Sequence, residues 1–138
     1  MQTGITAKNN NKHYNRAKLI AGLWTLLIFI LCFIPGQGLP KVNIPLADKW
    51  AHMLLFGVFA ILWHRTVPNG GIRYKFMLLL ITVYVGWLVE YVQGHYVPNR
   101  SQDNVDTLAD GIGGLAGIVL FALYQRFNKG ASAQAHEE

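Results

Sequence analysis

Leu19 to Ile34 is a run of sixteen residues without a charge, and three further long apolar stretches follow it. A chain patterned this way has few folding options in water. It has 138 residues, of which 52% are hydrophobic and only 14% charged, whereas soluble domains carry about 25% charged residues. So short a chain forms one domain, and its excess apolar surface calls for lipid. Strands are a poor alternative, because apolar residues continue over eleven to sixteen positions without the period-2 alternation of barrel strands. The predicted fold class is all-α: a polytopic membrane protein built as a four-helix transmembrane bundle.

The first segment, Ala17 to Ile34, ends at Pro35-Gly36. It exceeds the about 7–15 apolar residues of a secretory signal, and no small-residue cleavage site follows, so it reads as an uncleaved membrane helix. The second runs from Pro45 to Arg65. Its purely apolar part, Met53 to Trp63, is too short to cross alone, but the whole segment extends about 31 Å, matching a hydrocarbon core of about 30 Å. Pro45 suits a first helical turn, where a missing N–H costs nothing. The third segment spans Phe76 to Val97 and the fourth Val105 to Phe127, with Pro98-Asn99 as the turn between them. Three regions result: a basic N-terminal segment (1–16), a transmembrane domain (17–127), and a polar tail (128–138) whose composition predicts disorder. No internal repeat is present.

The net charge of +5 does not indicate nucleic acid, because the basic residues flank apolar runs instead of forming a stripe. They indicate orientation. Lys8, Lys12, Arg16, Lys18, Arg65, Arg73, Lys75, Arg126 and Lys129 fall on one side of the four spans, and only Lys41, Lys49 and Arg100 on the other. The positive-inside rule then places both termini in the cytoplasm, in the cell membrane, or the inner one where there are two. Trp24, Trp50 and Trp63 lie towards helix ends, as interfacial belts require, and Trp87 lies further in. The only cysteine, Cys32, excludes an intramolecular disulfide.

Five of the seven acidic residues, Asp48, Glu90, Asp103, Asp106 and Asp110, gather towards the extracytoplasmic side; Glu137 and Glu138 end the tail. Glu90 lies about 21 Å along the third segment, and Asp110 about 10 Å along the fourth from Asp103. A carboxylate at such depth is costly unless paired, hydrated or protonated, and so is a functional candidate by default. Spacing gives common faces. Asp48 and His52 are about 40° apart on a helix, Glu90 and Gln93 about 60°, and Asp103, Asp106 and Asp110 share an arc of about 60°. Three helices thus present polar stripes at one level, with Arg100 above. Gly113-x-x-x-Gly117 and Gly114 permit close helix approach.

Plainer roles compete. Asp103 serves equally as an N-cap, with Asp106 favoured by the helix dipole, and Asp48 serves the start of the second helix. Lys49 reads best as a snorkelling anchor. His52 reads as a satisfied core histidine, His64 and His95 as interfacial, and Gln93 as helix–helix glue. Only Glu90 and Asp110 lie too deep for a cap or an anchor.

Asp48-Lys49-x-x-His52, Glu90-x-x-Gln93 and Arg100-x-x-Asp103-x-x-Asp106-x-x-Ala109, in that order and separated by apolar helices, resemble the VanZ-like membrane proteins. That family comprises small four-helix proteins of bacterial membranes and is named for a teicoplanin-resistance protein. The resemblance covers Ala17 to Phe127. It departs at Asp110, where family members commonly carry Asn. It implies a bacterial envelope protein that affects glycopeptide sensitivity or handles a cell-wall or lipid-linked molecule.

Two functions from different classes follow. In the first, an enzyme acts at the outer leaflet. Asp48, His52, Glu90 and Asp106 are its candidate catalytic groups, with His52, oriented by the neighbouring Asp48, as base and Glu90 as acid. Gln93, Arg100 and Asp103 are candidate substrate-binding groups, Arg100 taking phosphate or carboxylate. Carboxylates with a histidine also suit a divalent cation, but no H-E-x-x-H zinc motif or G-x-S-x-G nucleophile signature is present. The metal and any other cofactor are left unassigned. In the second, the same residues bind a glycopeptide, headgroup or partner without chemistry. Transport ranks below both, since four helices without a repeat are few unless the chain oligomerises.

Overall fold

The computed structural model describes residues 3–35 and 46–134. They form four α-helices and, among the described residues, no strand: α1 Thr3–Cys32, α2 Ala47–Thr66, α3 Ile72–Tyr96 and α4 Asn104–Gln134. Pro45 and Lys41 lie outside the described residues, as do Glu137 and Glu138.

α2 matches the expected segment closely. The others extend beyond it, and the reason is physical. Hydropathy marks where a chain meets lipid, whereas a helix propagates until a breaker stops it. No proline interrupts Thr3 to Ala17, so the N-terminal segment expected to precede the helix is its first part. Residues 128–134, expected to be disordered, likewise continue α4. α3 begins four residues before Phe76, directly after the Gly70-Gly71 turn. Pro98-Asn99 forms the expected turn, with Asn99 in the left-handed region at φ 59°, which Asn tolerates better than most residues.

Three helices are long and apolar enough to cross a membrane, over His13–Leu31, Ile72–Tyr96 and Asn104–Lys129. The surface agrees with a lipid solvent. Leu19, Leu23, Ile30, Phe76, Leu80, Leu108 and Leu120 are exposed, while His52, Thr82, Glu90, Gln93, Asp106 and Asp110 are buried. Water would penalise so large an apolar surface; a bilayer accepts it, and ionisable groups then turn inward.

α2 touches each of the other three helices, whereas α1 and α4 do not meet among the described residues. Matching contacts give the directions. Lys49 reaches Asp106, and farther along α2 Gly57 lies against Gly113 and Gly117, so α2 and α4 run parallel. Gly86 faces Asp110 and Thr82 faces Gly114, so α3 is antiparallel to α4. The α2–α4 seam is closed by glycine. A Cβ added at Gly113 would collide with the Met53 carbonyl, and one at Gly117 with the Gly57 carbonyl. Backbones this close gain dispersion contact that side chains would prevent.

α1 is held differently. The Trp24 Nε1–H donates to the Leu55 carbonyl at 3.0 Å, and the Trp63 Nε1–H to Thr25 Oγ1 at 3.1 Å. These two indoles therefore fasten α1 to α2; Trp50 and Trp87 are exposed. Ile28, Phe56, Phe59 and Val89 make the apolar core beside them.

Candidate functional site

At the end of the bundle where α2 begins and α3 turns into α4, three helices bring their polar stripes together. His52 stands one turn into α2 and is 8% exposed. Its Nδ1 lies 2.9 Å from Asp110 Oδ1 on α4, and its Nε2 3.7 Å from Glu90 Oε1 on α3. Asp110 and Glu90 are both fully buried. Gly86 makes this possible, because a Cβ there would strike the Asp110 carboxylate.

Asp110 fixes the histidine. With Asp110 ionised its carboxylate can only accept, so Nδ1 carries the proton in the neutral ring and Nε2 is left with its lone pair. That lone pair faces Glu90 Oε1, which is buried and has no hydrogen-bond partner. The other Glu90 oxygen, Oε2, accepts the Asp103 N–H at 2.9 Å. This bond locks α3 onto the first residues of α4.

Asp103 is an N-cap. Its Oδ1 accepts the Val105 N–H at 2.8 Å, while Oδ2 pairs with Lys49 at 2.9 Å. Lys49 also reaches Asp106 Oδ1 at 2.6 Å. The expected snorkelling role for Lys49 is therefore corrected: its ammonium turns inward and ties α2 to α4. An ammonium flanked by two carboxylates gains more there than at a headgroup.

The Lys49 ammonium, helped by the Val105 N–H, holds the half-buried Asp103 carboxyl below the usual carboxylate range. A depressed folded-state value contributes stability that is complete above the ordinary value of about 3.9 and is lost as pH falls through the folded value. Lys49→Met is expected to destabilise the protein by about 2 kcal/mol at neutral pH. Removing one partner of a buried pair costs about 3–5 kcal/mol, and partial exposure of Lys49 lowers this. In thermal melts in detergent, the gap between Lys49→Met and wild type should narrow below about pH 4.

Gln93 is buried and, with Asp48, His52 and Arg100, lines a cavity of about 190 Å³ whose remaining wall is apolar, including Ile28, Leu31 and Phe56. The Arg100 Nε is buried there without a partner. Asp48, by contrast, is exposed. Ligand atoms of Asp48, His52 and Asp106 lie within 4.8 Å of one another. All seven residues singled out from the sequence thus meet at one end of the bundle.

Two assignments change. Asp48 was the expected orienting partner of His52 from its i, i+4 spacing, but the carboxylate in hydrogen-bonding contact is Asp110. His64, expected at an interface, is fully buried, with ring centroids 4.9 Å from Phe121 and 6.2 Å from Tyr74. His95 is exposed, with Nδ1 2.8 Å from the Tyr91 carbonyl.

No family model, curated protein or solved structure matches the chain.

Proposed function

We propose that this chain is a VanZ-like protein of the bacterial cell membrane that holds an acid–base site at the outer leaflet. In this reading it acts on a lipid-linked or cell-wall molecule and thereby affects glycopeptide sensitivity. The carrying observation is His52 held between two fully buried carboxylates, with Nδ1 2.9 Å from Asp110 and Nε2 3.7 Å from Glu90. Asp110 sets the tautomer and supports positive charge on the ring. Nε2 can then take a proton from a substrate hydroxyl or water, while a protonated Glu90 can return one. The unpartnered Arg100 Nε supports a phosphate or carboxylate ligand. The apolar wall of the adjoining cavity supports a lipid-linked one.

The topology in this reading is four spans with both termini cytoplasmic. α2 is not among the three helices apolar enough to cross a membrane by composition, and it carries Asp48, Lys49, His52, His64 and Arg65. Three helices surround it, which supports a fourth span whose polar groups avoid lipid. Nine Lys and Arg against three support the orientation. Reporter fusions at Lys129 and near Gly38 test it. Cytoplasmic-type signal is expected at Lys129 and periplasmic-type signal near Gly38; the reverse pair refutes the orientation.

The alternative is a binding or accessory protein that performs no reaction. It is favoured by the way Lys49, Asp103 and Asp106 satisfy one another, which suits a structural cross-link. Deleting the gene tests the envelope role shared by both. Altered glycopeptide sensitivity or altered pools of lipid-linked wall precursor are expected, and unchanged values of both rule it out.

A further inference from the structure

We propose that Asp48, His52 and Asp106 bind one divalent first-row metal ion, Zn²⁺ or Mn²⁺. The proposal deepens the reading of the cluster as a working site and rests on it. Each of the three residues offers a ligand atom, and these atoms lie within 4.8 Å of one another. An ion bound at about 2.0–2.2 Å keeps its ligands within about 4.4 Å, so shifts of a few tenths of an ångström close the site. Asp106 spends Oδ1 on Lys49, which leaves its other oxygen for an ion.

A second, independent observation points to a cation. Glu90 Oε1 is buried without a partner and is aimed at His52 Nε2 across 3.7 Å. With Nδ1 donating to Asp110 and Glu90 ionised, both facing atoms carry lone pairs, and a positive species beside them satisfies both. The charge balance agrees: five carboxylates, Asp48, Glu90, Asp103, Asp106 and Asp110, stand against Lys49 and Arg100.

The surroundings suit a metal in a further way. A ligating histidine usually donates its other ring N–H to a carboxylate, which fixes the ring and raises its basicity. The Asp110–His52 contact at 2.9 Å has that form. One imidazole with two carboxylates is a mixed donor set, which favours zinc or manganese over the all-oxygen sites of magnesium and calcium. With the ion on Nε2, His52 acts as a ligand in place of a base, and three protein ligands leave room for a water, whose proton the ion would make easier to remove.

The test is metal binding by the purified full-length protein in detergent, stripped with chelator and titrated with Mn²⁺ by electron paramagnetic resonance and with Zn²⁺ by calorimetry. One ion per chain is expected. Asp106→Asn should weaken binding at least about tenfold, and so should Asp48→Asn, whose side chain is exposed. Asp110→Asn should weaken it about 10–100-fold through His52 alone. No saturable binding of either ion overturns the proposal, as does stoichiometric binding that Asp48→Asn and Asp106→Asn leave unchanged. The parent reading separates cleanly. If no metal binds but His52→Ala and Glu90→Gln abolish function, the metal is wrong and the acid–base site stands. If metal binds as expected and those variants function normally, the ion is dispensable for function and the acid–base reading falls.

Discussion

Gly113→Leu is expected to prevent α2 and α4 from closing, with a loss of more than about 3 kcal/mol. Overpacking costs about 1–3 kcal/mol where side chains can shift. At Gly113 the obstruction is the Met53 backbone carbonyl, which cannot rotate away, and the Gly57–Gly117 contact one turn on must open with it. Because Lys49, His52, Asp106 and Asp110 meet across this same seam, the variant should also lose the cluster. Membrane abundance and melting temperature in detergent measure the effect. Gly22→Ala is the matched control: nothing lies within 4 Å of an added Cβ there, so a change within about ±1 kcal/mol is expected, alanine being the better helix former. Wild-type melting by Gly113→Leu would mean that the helices do not approach as described.

The second large effect concerns Asp110. Asp110→Ala leaves the His52 Nδ1–H buried without an acceptor, and an expected loss of about 3 kcal/mol follows from removing one member of a buried pair. Asp110→Asn keeps a carbonyl acceptor of the same shape and should lose less than half as much. A double-mutant cycle with His52→Phe isolates the contact. A coupling of about 2 kcal/mol is expected, within the range for directly contacting residues. Additive losses would show that Asp110 and His52 act independently, and that the 2.9 Å contact contributes nothing to stability.

The bundle was legible because lipid sorts residues more strictly than water does. Uncharged runs such as Leu19 to Ile34 leave little choice but helix. The site was legible because Glu90 and Asp110 lie deep in apolar segments, where no cap or anchor role explains a carboxylate. Pairing was less legible. The i, i+4 spacing tied His52 to Asp48 on its own helix, yet its hydrogen-bonding partner stands on α4. That partner depends on α2 and α4 running parallel with their glycines in register, which no single-helix period encodes. Asp110 already shared a face with Asp106 by spacing. Lys49 was misjudged for a related reason. A lysine near a helix end normally reaches for headgroups, and only the tertiary meeting with Asp103 and Asp106 turns it inward. The early start of α1 was hidden because polar helical residues carry no hydropathy signal.

The central claim is that the group between Asp110 and Glu90 does chemistry and does more than hold the bundle together. Glu90→Gln separates these roles. An amide oxygen can still accept the Asp103 N–H that Glu90 Oε2 accepts at 2.9 Å, so abundance and melting should stay near wild type. The amide can neither carry nor release the proton that acid–base work needs, and such groups contribute about 10²–10⁴-fold. The decisive measurement is complementation of the deletion strain by Glu90→Gln at wild-type membrane abundance, read out as glycopeptide sensitivity and lipid-linked precursor pools. The account predicts that the variant behaves as the empty vector does; full complementation would contradict it and leave the cluster as a structural cross-link.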